Sequence, residues 1–192
     1  MILEGIVTTV SAAGEINIAP MGPHVEPTME RLLLKPFRTS RTYRNLRKHP
    51  EGVFHVTDDV LLIAQAAIGA VVPLPPLMPA EHVRGHVLRD CCRYYEFRAD
   101  LIDDREERCQ IDAVVVNSGR VRDFFGFNRA KHAVVEAAIL ATRVDFLPLE
   151  EIEADFRKLN ILVDKTGGDQ EQQAFALLRR HLAGVRETRK AY

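Results

Sequence analysis

No apolar run in this 192-residue chain reaches the roughly 18 residues that a membrane-spanning helix needs. The first ten residues, MILEGIVTTV, also lack the basic segment and small-residue cleavage site of a secretory signal. A cytoplasmic protein without a membrane partner is therefore expected. Strong charge of either sign is missing too: 26 Lys and Arg against 27 Asp and Glu leave a net charge of −1. Nucleic-acid binding depends on a broad basic face that releases counterions, so this balance argues against it. Cysteine is scarce. Cys91, Cys92 and Cys109 cannot all pair and two are adjacent, which predicts reduced thiols. GxGxxG, GxxxxGKS/T, HExxH and GxSxG are all absent, which removes the usual support for Rossmann, P-loop, zincin and hydrolase readings. His82 and His86 are four apart, but Gly85 lies between them and a proline-rich segment precedes them, so no metal is expected.

One absence is local and points to something positive. Between Arg31 and Pro50, RLLLKPFRTSRTYRNLRKHP carries seven Lys or Arg and no Asp or Glu. Thr39 or Ser40 is a suitable N-cap for a helix that Pro50 stops. A helix N-terminus has unpaired N–H groups and partial positive charge, so Thr39, Ser40 and Thr42 beside Arg38 and Arg41 suit a phosphate. The same hydroxyls would also serve as plain helix caps. RNA is a poorer partner, because few aromatics beyond Phe37 and Tyr43 are interleaved with the cations.

The length fits one domain, or one domain with a helical appendage, and the composition is 46% hydrophobic and 28% charged, as in ordinary globular proteins. Ile2 to Val10 and Glu15 to Ala19 read as a β-hairpin around Ser11 to Gly14. Pro20-Met21-Gly22-Pro23 then interrupts pairing and leaves backbone exposed at a strand end. His24 to Leu34 is expected to be a third strand, with Pro27 at an edge or bulge. Gly52 to Thr57 is a short strand, and Asp58 or Asp59 caps a helix from Val60 to Ile68 stopped by Gly69. VPLPPLMP, from Val72, predicts an irregular connection. Cys91 to Asp103 and Arg108 to Asn117 form a second hairpin of long strands, which favours a barrel, and alternation places one of Cys91 and Cys92 in the core and the other outside. Three C-terminal helices follow: one from Asn128 with a small-residue face, one over Glu150 to Asn160, and one from Gln170 to Arg186.

The strand end and the basic turn together suggest one ligand. A flat heteroaromatic ring would lie against Ala19 to Gly22, its edge read by backbone groups, while a phosphate tail reaches Thr39 to Thr42. FMN has that shape. The ordered segments EGIVTT, NIAPMG, PFRTSRTYRNL, FHVTDD and FGFNRAKHAVVEAAILATR resemble the flavin-reductase-like split-barrel family catalogued as domain of unknown function 447, over nearly the whole chain. That resemblance implies an α+β protein: an FMN-binding split β-barrel over residues 1–127 with a helical C-terminal subdomain over 128–192. It implies a homodimer with flavin near the interface. It also implies that Thr39, Ser40, Arg41, Thr42 and Asn45 form a phosphate-binding turn, that Asn17, Ala19, Pro20, Met21 and Gly22 face the ring, and that Thr57 and Asp58 neighbour them. The expected function is an FMN-dependent oxidoreductase using NAD(P)H or another small redox substrate, or else a flavin carrier without turnover. No side chain is an evident acid or base, which a flavoenzyme tolerates because its cofactor supplies the redox chemistry.

Overall fold

The computed structural model describes residues 1–190. They divide into a sheet unit, residues 1–57 and 73–124, and a helical unit, residues 58–72 and 125 onward. The sheet unit begins with β1 (Gly5–Val10), whose sequence GIVTTV is buried at every position and which is paired with a strand on each edge. β2 (Ile16–Met21) runs antiparallel to it, from Val10↔Ile16 to Gly5↔Met21. On the other side lies β5 (Glu51–Val56), followed by β8 (Arg93–Asp103) and β9 (Gln110–Arg120), all antiparallel. β4 (Arg31–Leu34) and β3 (His24–Val25) complete the order β2-β1-β5-β8-β9-β4-β3.

The far edge returns to the start of the chain. Ile2 bridges His24, Val25 N–H donates to the Met1 carbonyl at 2.8 Å, and Leu3 N–H donates to the Pro23 carbonyl at 3.1 Å. The sheet thus closes into a split β-barrel. Gly22 permits that closure, since a Cβ there would lie 2.8 Å from the Ile2 side chain. Register shifts at Glu96/Phe97 and Ala99/Leu101 accentuate the curl of the long β8–β9 ribbon. Val7, Leu32, Leu34, Phe54, Phe97 and Ile111 are fully buried inside, joined by Leu46 from helix α1 (Arg41–Lys48). Each such side chain contributes about 2 kcal/mol by its burial, so Leu46 fixes α1 to the barrel.

Polar groups also join the strands internally. His55 is fully buried, with Nδ1 3.2 Å from the Ile6 carbonyl and Nε2 accepting from Leu88 N–H at 3.1 Å. That pairing assigns the proton to Nδ1, and burial holds the imidazole pKa down to about 4 against the opposing pull of the Ile6 carbonyl. Glu96 is likewise buried and accepts from the N–H groups of Glu81, His82 and Val83 and from the Asn117 amide, at 2.7–3.1 Å. Burial raises its pKa, but those donors outweigh it and the net shift is downward.

The helical unit comprises α2 (Val60–Ala67), α3 (Arg129–Ala141), α4 (Leu149–Thr166) and α5 (Asp169–Lys190). Asp59 caps α2 by accepting from Leu62 N–H at 3.0 Å, and Gly69 at φ +69° follows its end. Asn128 caps α3 through Ala130 and Lys131. The α3 face of Ala130, Val134, Ala137, Ala138 and Ala141 is buried, as its spacing predicts, and Ala133 is buried with it. Lys131 Nζ pairs with Glu171 at 3.0 Å, and Glu171 also accepts from Gly168 N–H at 2.8 Å, which ties α3 to the start of α5. Among the described residues no helix is long and apolar enough to cross a membrane.

Four local expectations are corrected. His24 to Leu34 is two strands, separated by a turn in which Met29 has φ +55°, rather than one strand with a bulge. The proline-rich connection is not wholly irregular: β6 (Leu77–Pro79) pairs with β7 (His86–Leu88) in a small second sheet. Cys91 and Cys92 are both buried, because they precede β8 and do not follow its alternation. The C-terminal helices run further than their apolar spacing suggests, α4 to Thr166 and α5 to Lys190.

Candidate functional site

Helix α1 and strand β2 bring the two expected stretches together. Asn17 on β2 stands opposite Thr9 on β1, and its amide donates to Thr9 Oγ1 at 3.3 Å and Thr42 Oγ1 at 3.2 Å. Asn45, one turn along α1, donates to the same Thr9 oxygen at 3.0 Å. Four side chains thus form one polar group around a buried hydroxyl. Thr9 was not among the expected site residues. Its signal was slight: a Thr pair on an otherwise apolar strand, opposite the asparagine across the hairpin. The amide oxygens of Asn17 and Asn45 have no donor among the described residues.

The first turn of α1 is the more open part. Ser40 is the N-cap and its Oγ accepts from Tyr43 N–H at 3.1 Å, so this hydroxyl is already engaged. Thr42 is buried, while Thr39, Arg38 and Arg41 are exposed. Neither guanidinium has a carboxylate partner among the described residues, and the N–H groups of Arg41 and Thr42 have no acceptor there. A pair of N–H groups flanked by two cations and a free hydroxyl is suited to an oxyanion.

The face that carries Tyr43 and Arg47 differs. Asp104, in the β8–β9 turn, accepts from Tyr43 Oη at 2.7 Å and from Arg47 at 2.9 Å. The Tyr43 hydrogen bond, aided by the Arg47 charge, lowers the Asp104 pKa, and the same bond raises that of Tyr43. Arg31 pairs with Asp100 at 3.2 Å. The basic stretch that lacks acids in sequence therefore meets two of them in space, from the neighbouring ribbon.

The remaining expected residues fall as follows. Ala19, Pro20 and Met21 lie on β2, whose outer edge has no ladder partner among the described residues, and Met21 leans on the barrel core. Gly22 packs against the N-terminal segment. Thr57 and Asp58 are buried where the chain leaves the sheet unit. Asp58 belongs to the helical unit, where its carboxylate accepts from Phe125 N–H at 3.0 Å and its carbonyl accepts from Lys131 Nζ at 2.7 Å.

An antiparallel split barrel carrying a short basic helix is a fold shared with several solved flavin proteins. The structure is similar to that of an FMN-bound protein from Methanosarcina mazei, with a TM-score of 0.81 and 25% identity over 94% of each chain. It resembles the styrene monooxygenase flavin reductase of Pseudomonas putida at a TM-score of 0.54 and 10% identity, over 63% of this chain and 82% of that one. It also resembles the 2-nitrobenzoate 2-nitroreductase of Pseudomonas fluorescens at a TM-score of 0.53 and 15% identity, over 61% of this chain and 64% of that one. These last two likenesses concern the fold alone. The chain belongs to the family of proteins of unknown function DUF447, whose N-terminal domain matches residues 3–122 and whose second domain matches residues 128–180. No curated protein matches the sequence.

Proposed function

We propose that this protein binds FMN and acts as a flavin-dependent oxidoreductase on a small redox substrate. The observation that carries the reading is the start of α1, where exposed Arg38 and Arg41 form no ion pair among the described residues and lie beside N–H groups without an acceptor there and the Thr39 hydroxyl. Such a turn fits the phosphate of FMN. The residues beneath it fit the ribityl chain, because the amide oxygens of Asn17 and Asn45 are available to accept from hydroxyls, while Thr42 and Thr9 hold both amides in place. Ser40 contributes by capping the helix, which sets the direction of the first-turn N–H groups. Along Ala19 to Gly22 the unpaired outer edge of β2 offers backbone donors and acceptors to a ring edge, and Pro20 limits the donors there. The flavin supplies the capacity to accept and pass on electrons; this chain binds and orients it. The M. mazei relative, described as FMN-bound, supports the same assignment.

A homodimer with flavin near the interface is part of the proposal. The open edge of β2 and the exposure of Phe125 and Phe127, 88% and 104%, leave surface that a second copy would cover. Three buried free cysteines fit a reducing, cytoplasmic setting. Absorbance of freshly purified protein, with mass identification of the released chromophore, tests the cofactor. Bleaching under NADH or NADPH then supports turnover, whereas yellow protein inert to every hydride donor supports a flavin carrier instead.

A further inference from the structure

We propose that the helical unit carries a second small-molecule site, in the cleft between α4 and α5, that takes a small monocarboxylate with an apolar body. The cleft has a volume of about 390 Å³, toward the small end of ligand-binding clefts, which run from roughly 300 to 1,000 Å³. It is built by two facing stripes at helical spacing. On α4, Glu153, Phe156, Arg157 and Asn160 recur at three- and four-residue steps; on α5, Phe175, Arg179, Leu182 and Arg186 do the same.

The two stripes divide the cleft by chemistry. Its floor is apolar: Phe156 and Phe175 are 5% and 2% exposed, with ring centroids 5.3 Å apart, and Leu182 is buried beside them. Its rim is cationic. Arg186 is paired with Glu153 at 3.2 Å, but Arg157 and Arg179 have no carboxylate partner among the described residues. Three guanidinium groups against one carboxylate leave the rim with two positive charges unanswered. Lys158 on the same helix, by contrast, pairs with Asp155 at 2.8 Å. An apolar ring or branched chain seated on the phenylalanines would place its acid group among forked donors that match a carboxylate.

The competing account is that the arginine stems merely cover the phenylalanines. The two accounts move charged and neutral ligands in opposite directions. Full-length protein is titrated with 2-naphthoate and with 2-naphthylmethanol, which has the same apolar body and no charge, by isothermal calorimetry or ligand-observed NMR. The proposal expects the acid to bind at least tenfold more tightly than the alcohol, with an affinity that falls as salt rises. Arg157→Gln with Arg179→Gln lowers naphthoate affinity tenfold or more, leaves the alcohol unchanged, and leaves FMN binding unchanged. Equal affinity for acid and alcohol in the native protein overturns the proposal without any variant. So does tighter binding of the alcohol in the double variant, the mark of a cover removed. Loss of naphthoate binding as protein concentration rises also overturns it, since a second copy would then be the occupant.

Discussion

The two ends of helix α1 carry similar residues and meet different fates. Arg47 in its last turn and Tyr43, four residues back on the same face, converge on Asp104, and the charge is answered from the β8–β9 ribbon. Before and within its first turn, Arg38 and Arg41 are exposed and form no ion pair among the described residues, beside N–H groups that the helix cannot satisfy. A count of cations along the sequence treats these ends alike. Three-dimensional pairing separates a fixed end, which anchors the helix, from an open end, where the phosphate site is proposed.

The largest effect is expected at the open end. Arg41→Ala with Thr42→Ala removes a cation and a hydroxyl together, and should weaken FMN binding by about 2 to 4 kcal/mol. Flavin fluorescence titration checks it, with circular dichroism to show that the barrel persists. Unchanged affinity would erase the distinction between the two ends. A second experiment separates loss of the site from loss of its scaffold. His55 is held neutral in the folded state, with its pKa down to about 4, whereas the unfolded imidazole titrates near 6.5. Its stabilising contribution is therefore complete above pH 6.5 and is lost as pH falls toward 4, by on the order of 3 kcal/mol. Urea unfolding of the native protein and of His55→Gln between pH 7 and 4.5 should show a shallower acid loss in the variant; parallel curves would contradict the assignment.

Within the polar group, Asn45→Ala should cost about 1 to 2 kcal/mol in FMN binding, because it frees Thr9 and removes an acceptor. The smallest change is expected at the fixed end. Asp104→Asn keeps an acceptor for Tyr43 and Arg47, so FMN affinity should move by less than about threefold, in keeping with the small worth of exposed ion pairs. A loss as large as that of the Arg41/Thr42 pair would show that the last turn is part of the binding surface.

What the sequence made legible was what depends on near neighbours. The β1–β2 hairpin, the cap at Asn128, the caps of α1 and α2 to within one residue (Thr39 or Ser40, Asp58 or Asp59), and the alanine face of α3 all follow from residues within a few positions of each other. The Asn17, Thr42 and Asn45 group was foreseen only as residues belonging to one site, and Thr9, which joins them, was missed because its role exists only across the hairpin. Asp104 was missed for the same reason: it lies 61 residues from Tyr43 in the chain. The grouping of α2 with the C-terminal helices depends on packing between segments far apart in sequence, which local pattern does not encode.

The most direct test compares two ligands that differ by one group. Apoprotein titrated with FMN and with riboflavin reports what the phosphate alone contributes. If the open turn of α1 grips that phosphate, FMN binds at least about a hundredfold more tightly, close to 3 kcal/mol, and Arg41→Ala with Thr42→Ala removes most of the difference. Equal affinity for the two, or no uptake of either, would contradict the account.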